Sequence, residues 1–268
     1  MITAKLLIII CHFNNLEGLE KTILSIKENF KIDILVVDDG SKTKPAEQNL
    51  KNLYKNGEVF LKLLPENQGV GKASNVGLNF AIQHQYDLTG RLDCGDIVHP
   101  NKYEKQLEFL ENNPEIKLLG TWINMVDMEG KVLMKLKHPT DYEAIKKKLN
   151  FNSAFTNSSV IFYVSALEKT GLFPEKYNRN GEDYAFFYNF SKIYPTTNLP
   201  EFLVDYVVDP NSISSLHRKD QVKNRLMINL DNFEFGIYPI LALVQNSIIY
   251  FIPRNLMIKL KKAIKYNQ

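Results

Sequence analysis

The first third of the chain switches repeatedly between two hydrophobic periods. Residues 5–10 form a continuous aliphatic run, the pattern of a strand covered on both faces. Residues 16–30 follow with Leu16, Leu19, Ile23, Ile26 and Phe30 at helical spacing. The pattern then predicts a buried strand at 33–37, a helix at 45–55, a strand at 58–64 and a helix at 71–83 packed through Val76, Phe80 and Ala81. A further short strand is predicted at 87–92. Repeated strand–helix units predict an α/β, Rossmann-like domain with a mostly parallel central sheet flanked by helices.

The second half is less regular. It predicts a helix at 101–112 opened by Pro100 and Asn101, and a hairpin of 118–127 with 131–136. A helix at 141–149, a strand at 159–163 and a short helix at 165–169 follow. An aromatic-rich helix is predicted at 184–194 and a strand at 203–208. From 221 the character changes. A helical stretch to 233 precedes an apolar segment, 237–252, interrupted by Pro239, Gln245 and Asn246. Residues 254–265 then interleave Leu256, Ile258, Leu260 and Ile264 with Lys259, Lys261, Lys262 and Lys265, a basic amphipathic pattern. The expected division is one α/β domain over 1–225 and a C-terminal helical, membrane-associating tail over 226–268.

Composition narrows the function classes. With 33 basic against 30 acidic residues the net charge is +3, too balanced for a nucleic-acid partner. Cys11 and Cys94 are the 2 cysteines and lie far apart, so neither a disulfide framework nor a zinc site is indicated. The apolar run at 6–11 is too short for a signal peptide, and no run of ~18 apolar residues exists. The expected location is cytoplasmic.

In parallel sheets ligands bind beyond the carboxyl ends of the strands. Those ends carry Phe13-Asn14-Asn15, Asp38-Asp39, 67–71 and 91–96. A carboxylate at Asp38 or Asp39 can accept from a ribose or a base N–H; Asp-Gly-Ser is also ordinary turn chemistry. The stretch from Asn67 through Gly69, Gly71 and Lys72 precedes a helix, where glycines admit a close approach and the N-terminus favours an anion such as a diphosphate. It also reads as a plain Gly-rich loop, and it lacks the Walker spacing. Asp93 and Asp96 sit three apart after Arg91, a pattern that suits a hard cation or a capped turn. Glu182, Asp183 and Tyr184 open the aromatic helix, where acids are favoured by the dipole and where one could serve as a general base. The 5 histidines show no metal-ligand spacing.

Taken in order, these segments resemble the family 2 glycosyltransferases of the GT-A fold. The run Ile34-Leu35-Val36-Val37-Asp38-Asp39-Gly40-Ser41 is close to the family's I-V-V-D-D-G-S, and residues 67–77 match N-x-G-x-x-x-A-x-N-x-G. Arg91 to Asp96, Pro100, Lys105-Gln106, Glu182-Asp183 and Asn211-Ser212-Ile213-Ser214 continue the likeness over about 5–225. The resemblance implies inverting transfer of a hexose from a UDP-sugar to a glycan or lipid-linked hydroxyl. It implies Asp183 as catalytic base and Glu182 and Tyr184 on the acceptor side. It implies a donor pocket of Phe13, Asn14, Asp38, Asp39, Asn67, Gly71, Lys72, Arg91, Asp93 and Cys94, with Asp39 on the uracil edge. Mg²⁺ or Mn²⁺ would be held by Asp93 and Asp96. Gly95 stands where the family's D-x-D has its second Asp, and Asn157 where related enzymes often have His. The rival readings are a sugar-phosphate nucleotidyltransferase, disfavoured by the missing early Gly-rich loop, and a non-catalytic scaffold, disfavoured by the full set of acids.

Overall fold

The structure, a computed structural model, describes residues 4–209 and 218–252. The expected late Asn211–Ser214 motif and the basic 254–265 pattern lie outside the described residues.

One sheet organises the chain. The strands are β1 (Leu6–His12), β2 (Asp33–Asp38), β3 (Val59–Leu63), β4 (Leu88–Asp93), β5 (Ile97–Val98), β6 (Leu118–Val126), β7 (Val132–Leu136), β8 (Ile161–Tyr163) and β9 (Thr196–Val207). Their order is β3-β2-β1-β4-β8-β6-β9-β5, with β7 paired to β6. The β3-β2-β1-β4 half is parallel; β8, β7 and β5 add antiparallel pairings, while β6 and β9 run parallel.

The helices are α1 (Leu16–Ser25), α2 (Glu47–Leu53), α3 (Val70–Gln83), α4 (Lys102–Asn112), α5 (Tyr142–Phe151), α6 (Leu167–Thr170), α7 (Glu182–Ile193), α8 (Arg218–Asp231) and α9 (Ile237–Phe251). Side chains of a strand alternate between faces. In β1, Leu7 and Ile9 therefore join one core with Ala73, Leu78 and Phe186, while Leu6, Ile8 and Ile10 join another with Leu19, Ile23 and Leu107. Burial on both faces is why the run reads as continuously aliphatic.

The chain departs from the patterned expectation at three places. The first helix stops at Ser25, and Glu28 is instead used to accept the N–H groups of Tyr103 and Glu104 at the start of α4. Pro239 does not interrupt the apolar segment, because it stands in the first turn of α9, where an N–H has no helical partner anyway. Strand β9 starts at Thr196, upstream of the expected 203, because its pairing with β6 carries irregularities around Trp122 that accommodate Pro200. The expected boundary at 225/226 falls within α8, whose Ile228 is buried in the core beside α7.

Sheet order reverses at β1: its two neighbours are β2 and β4. The C-terminal ends of β1, β2 and β4 therefore flank a topological switch point, the usual place for a ligand in such a sheet.

Candidate active site

At the end of β1, His12 Nε2 accepts the Asn15 N–H at 3.1 Å, so its proton sits on Nδ1 and is donated to Asp38 Oδ1 at 2.7 Å. The other Asp38 oxygen accepts the Ser41 N–H at 3.1 Å. Fully buried, Asp38 is thereby engaged in bracing the β1 and β2 ends. Asp39 is placed differently. Its two oxygens each accept one backbone N–H, from Gln68 at 2.8 Å and Gly69 at 2.9 Å, which fixes the carboxylate while leaving lone pairs for a ligand. Burial pushes its carboxyl up, and those N–H bonds and the Arg179 charge pull it back.

The start of α3 is already occupied. Asn178 Oδ1 accepts the Gly71 N–H at 2.9 Å and the Lys72 N–H at 3.4 Å, while Asn178 Nδ2 donates to Gln68 O at 2.6 Å. The helix-end donors expected to cradle a diphosphate are thus capped from another loop. Lys72 pairs with Glu175 at 3.7 Å.

At the end of β4, Arg91 is fully buried and its Nη2 lies 2.5 Å from Asp93 Oδ1. Burial opposes its charge, but the Asp93 carboxylate it touches outweighs that, with Glu182 and Asp183 adding to it, and the guanidinium stays charged. Its Nε and Nη1 have no partner among the described residues. Asn157 Nδ2 also donates to Asp93 Oδ1, at 3.0 Å, and Ser158 Oγ accepts the Asp93 N–H at 3.0 Å. Asp93 is 38% exposed, so the clamped carboxylate still faces outward.

Asp96 points the other way. Its oxygens accept from Ser158 Oγ at 2.5 Å and Val207 N at 2.9 Å, deep in the fold, and burial pushes its carboxyl up to about 8. Expected beside Asp93 as a metal ligand, Asp96 instead ties β9 to the β4 end, because a buried carboxylate must use its lone pairs locally. Cys94 donates to Asn15 O at 3.3 Å, and burial pushes its thiol up to about 12.

Gly181, at a φ of 106° that glycine adopts freely, caps the start of α7 and sets Glu182 and Asp183 in its first turn. Burial pushes Glu182 up to about 8, with the neighbouring Asp183 charge adding to it. Burial also pushes Asp183 up; Asp93 adds to the rise, and the Tyr184 N–H, at 2.7 Å from Oδ1, and Arg91 oppose it. Arg91 touches Asp93 and lies within the field of Glu182 and Asp183, so the three acids share its neighbourhood. Tyr184 turns into the core, donating to Leu149 O. Phe13 is exposed, and Asn14 Oδ1 accepts the Lys42 N–H at 2.9 Å. A separate cavity of about 400 Å³, lined by Ile23, Lys27, Tyr54 and Asn56 among others, shares no residue with this cluster.

The sequence profile of Glycosyl transferase family 2 matches residues 7–172, a span that carries the ends of β1, β2 and β4. The chain belongs to that family. The glycosyltransferase is 27% identical over 218 residues to the "Amylovoran biosynthesis glycosyltransferase AmsE" of Erwinia amylovora, covering 80% of this chain and 76% of the relative. It is 26% identical over 153 residues to the Escherichia coli "UDP-Gal:alpha-D-GlcNAc-diphosphoundecaprenol beta-1,3-galactosyltransferase", covering 57% of this chain and 54% of that one. Among solved structures, S. aureus TarS 1-349 in complex with UDP-GlcNAc superposes with a TM-score of 0.68 at 17% identity, over 92% of this chain and 70% of that one. The shared architecture is the GT-A fold.

For a divalent ion, this glycosyltransferase presents one outward carboxylate, Asp93, and Gly95 adds none. Among the described residues no group of three or more His, Cys, Asp and Glu could hold a metal. That donor set fits an ion held by one carboxylate and by a substrate's own phosphate oxygens, as Mg²⁺ often is. Sequence spacing did not reveal Asn178, Ser158 or Arg179, which act across long loops; the clue available was the turn-forming Asn178-Arg179-Asn180-Gly181 run ahead of the acidic helix.

Proposed function

We propose that this glycosyltransferase moves a hexose, with inversion, from a UDP-sugar to a hydroxyl of a glycan or lipid-linked acceptor during surface-polysaccharide synthesis. The observation that carries the reading is the gathering of Asp93 and Asp183, from separate segments, around the buried Arg91, with Asp39 at the adjoining strand end. The relatives' printed names, an amylovoran biosynthesis enzyme and a UDP-Gal transferase to a diphosphoundecaprenol acceptor, supply the donor and acceptor classes.

In this mechanism Asp39 accepts from the base, and Asn67, Phe13 and Asn14 border the nucleotide. Arg91, buried beside the outward Asp93, sets a fixed positive charge behind the departing diphosphate. Asp183 takes the proton of the attacking hydroxyl; its raised carboxyl makes it a stronger base than an exposed aspartate. Glu182 lines the acceptor side beside it. Asp93 would hold a Mg²⁺ or Mn²⁺ ion, which when bound offsets charge on the leaving diphosphate. Removal of divalent ions with EDTA measures how far turnover depends on it.

The acceptor reading gives α9 a role. No helix of the described residues is long and apolar enough to cross a membrane. Yet Ile237, Ile240, Leu241, Val244, Ile248 and Phe251 are exposed on α9. The following 253–268 carry Arg254, Lys259, Lys261, Lys262 and Lys265 with no acidic residue. An exposed apolar face next to cations suits the anionic cytoplasmic surface of the inner membrane. Co-flotation with phosphatidylglycerol vesicles, and its loss in Ile240→Asp, is the expected result. The donor reading is tested by screening UDP-sugars for UDP release and for thermal stabilisation of the full chain. Stabilisation by UTP with no UDP-sugar effect would overturn it.

A further inference from the structure

Arg179 is exposed, yet its φ is 82°, a backbone region that bulky residues rarely occupy unless the surroundings hold them there. Two contacts hold it. Its neighbour Asn178 is locked to the start of α3 through Gly71, Lys72 and Gln68. Its own Nη2 donates to Asn67 O at 3.2 Å and Asn67 Oδ1 at 2.9 Å. The side-chain stem crosses Gly69 so closely that a Cβ there would stand 2.8 Å from Arg179 Cγ. This carries the guanidinium over the loop whose Gln68 and Gly69 amides hold Asp39. The Arg179 charge reaches the Asp39 carboxyl, pulling it down against the larger upward push of burial.

We propose that Arg179 reads the nucleobase of the donor, donating to a ring carbonyl while Asp39 accepts the adjacent ring N–H. This rests on the nucleotide-sugar reading above. Arg179 beside Asp39 is a donor–acceptor pair whose charges nearly cancel. Such a pair suits a neutral heterocycle edge carrying both C=O and N–H, as uracil does. A diphosphate calls for net positive charge instead, and the buried cation among the reacting acids is Arg91. Of the five guanidinium N–H donors, the bonds to Asn67 use Nη2 alone. With Arg179 on the C4 carbonyl, cytosine, whose adjacent ring nitrogen carries no N–H and whose C4 bears an amino group, leaves Asp39 without its donor and turns a second donor towards Arg179; sites built to pair a polar group reject ligands that leave it unpaired.

The test compares the wild-type chain with Arg179→Met, which keeps the stem over Gly69, and Arg179→Lys, by calorimetric titration with UDP, UMP and CDP. Arg179→Met is expected to weaken UDP and UMP by the same factor, about tenfold or more. CDP should barely change, so the UDP-over-CDP preference falls. Arg179→Lys should recover little, since one ammonium cannot span Asn67 and the base together. Unchanged UDP affinity in Arg179→Met overturns the proposal. So does a loss several-fold larger for UDP than for UMP and restored by lysine, which would mark a phosphate contact. If the methionine variant does not fold, the lysine variant decides, because it must lose UDP-over-CDP preference for the proposal to stand. A wild-type chain that binds no uridine nucleotide defeats the donor reading and this one with it. Wild-type binding with unaltered variants defeats this one alone.

Discussion

Replacing Arg91 with methionine tests how the cluster is held together. The side chain is fully buried, its Nη2 meets Asp93 Oδ1 at 2.5 Å, and Glu182 and Asp183 lie within its field. Breaking a buried ion pair by removing one partner typically costs ~3–5 kcal/mol, because the remaining charge is stranded. Here Asp93 is 38% exposed, so water takes up part of its charge. The expected loss in Arg91→Met is therefore about 2 kcal/mol, read from urea unfolding of the full chain. Arg91→Met/Asp93→Asn should recover part of it, since the stranded carboxylate is then gone. The same substitution removes a charge that holds the Asp183 carboxyl down. Any residual turnover should then lose its acid limb at a higher pH than in the wild type. Stability within about 0.5 kcal/mol of wild type, together with an unmoved acid limb, would refute the placement of Arg91 among the acids.

Other expectations follow from separate features. In the wild type the acid limb of turnover should lie above the ordinary carboxylate range, because burial raises Asp183 and the base must be ionised to act; a pH–rate profile flat down to pH 4 contradicts this. Lys102 is fully buried, stacked at 4.0 Å over the Tyr103 ring, and burial pushes its ammonium down to about 7. A lysine lowered on folding binds fewer protons in the fold than in the unfolded chain between that value and its ordinary one, so its cost to stability is full below about pH 7 and fades as pH rises toward 10. Lys102→Met should therefore stabilise by on the order of 3 kcal/mol at pH 6 and by much less at pH 10, as followed by urea midpoints at the two pH values. A Cβ at Gly77 would stand 2.5 Å from Ile9 Cγ2, where α3 packs on β1; Gly77→Ala should cost about 1–3 kcal/mol, and an unchanged melting temperature would contradict that contact.

The parts of the fold legible in the sequence are those set by local repetition. Leu6 to Ile10 face apolar layers on both sides, so the run was a strand whichever way it was turned. Asp93 ends β4 and Asp39 stands just past the end of β2, because the sheet stops there and its carboxyl ends are open. Positions governed by contacts across long loops were not legible. Asp38 and Asp39 are neighbours of one residue type, yet His12 and Ser41 consume the first while Gln68 and Gly69 only steady the second. Asp96 looked equivalent to Asp93 by spacing, but Gly95, at φ 110°, turns the chain and sends it to Val207. The Lys72 N–H reads as a phosphate donor at a helix start, but Asn178 caps it from 106 residues away in sequence. Tyr184 follows the two acids directly, yet helical geometry points it to Leu149 and Asn229.

In the proposed reaction Asp183 takes the acceptor proton at a crevice shared with the donor. The most direct measurement is UDP release by Asp183→Asn, with a matched UDP-sugar and lipid-linked acceptor, alongside calorimetric binding of that donor. Turnover should fall by at least about 100-fold with donor affinity nearly unchanged. A folded Asp183→Asn chain that turns over at close to the wild-type rate would contradict it.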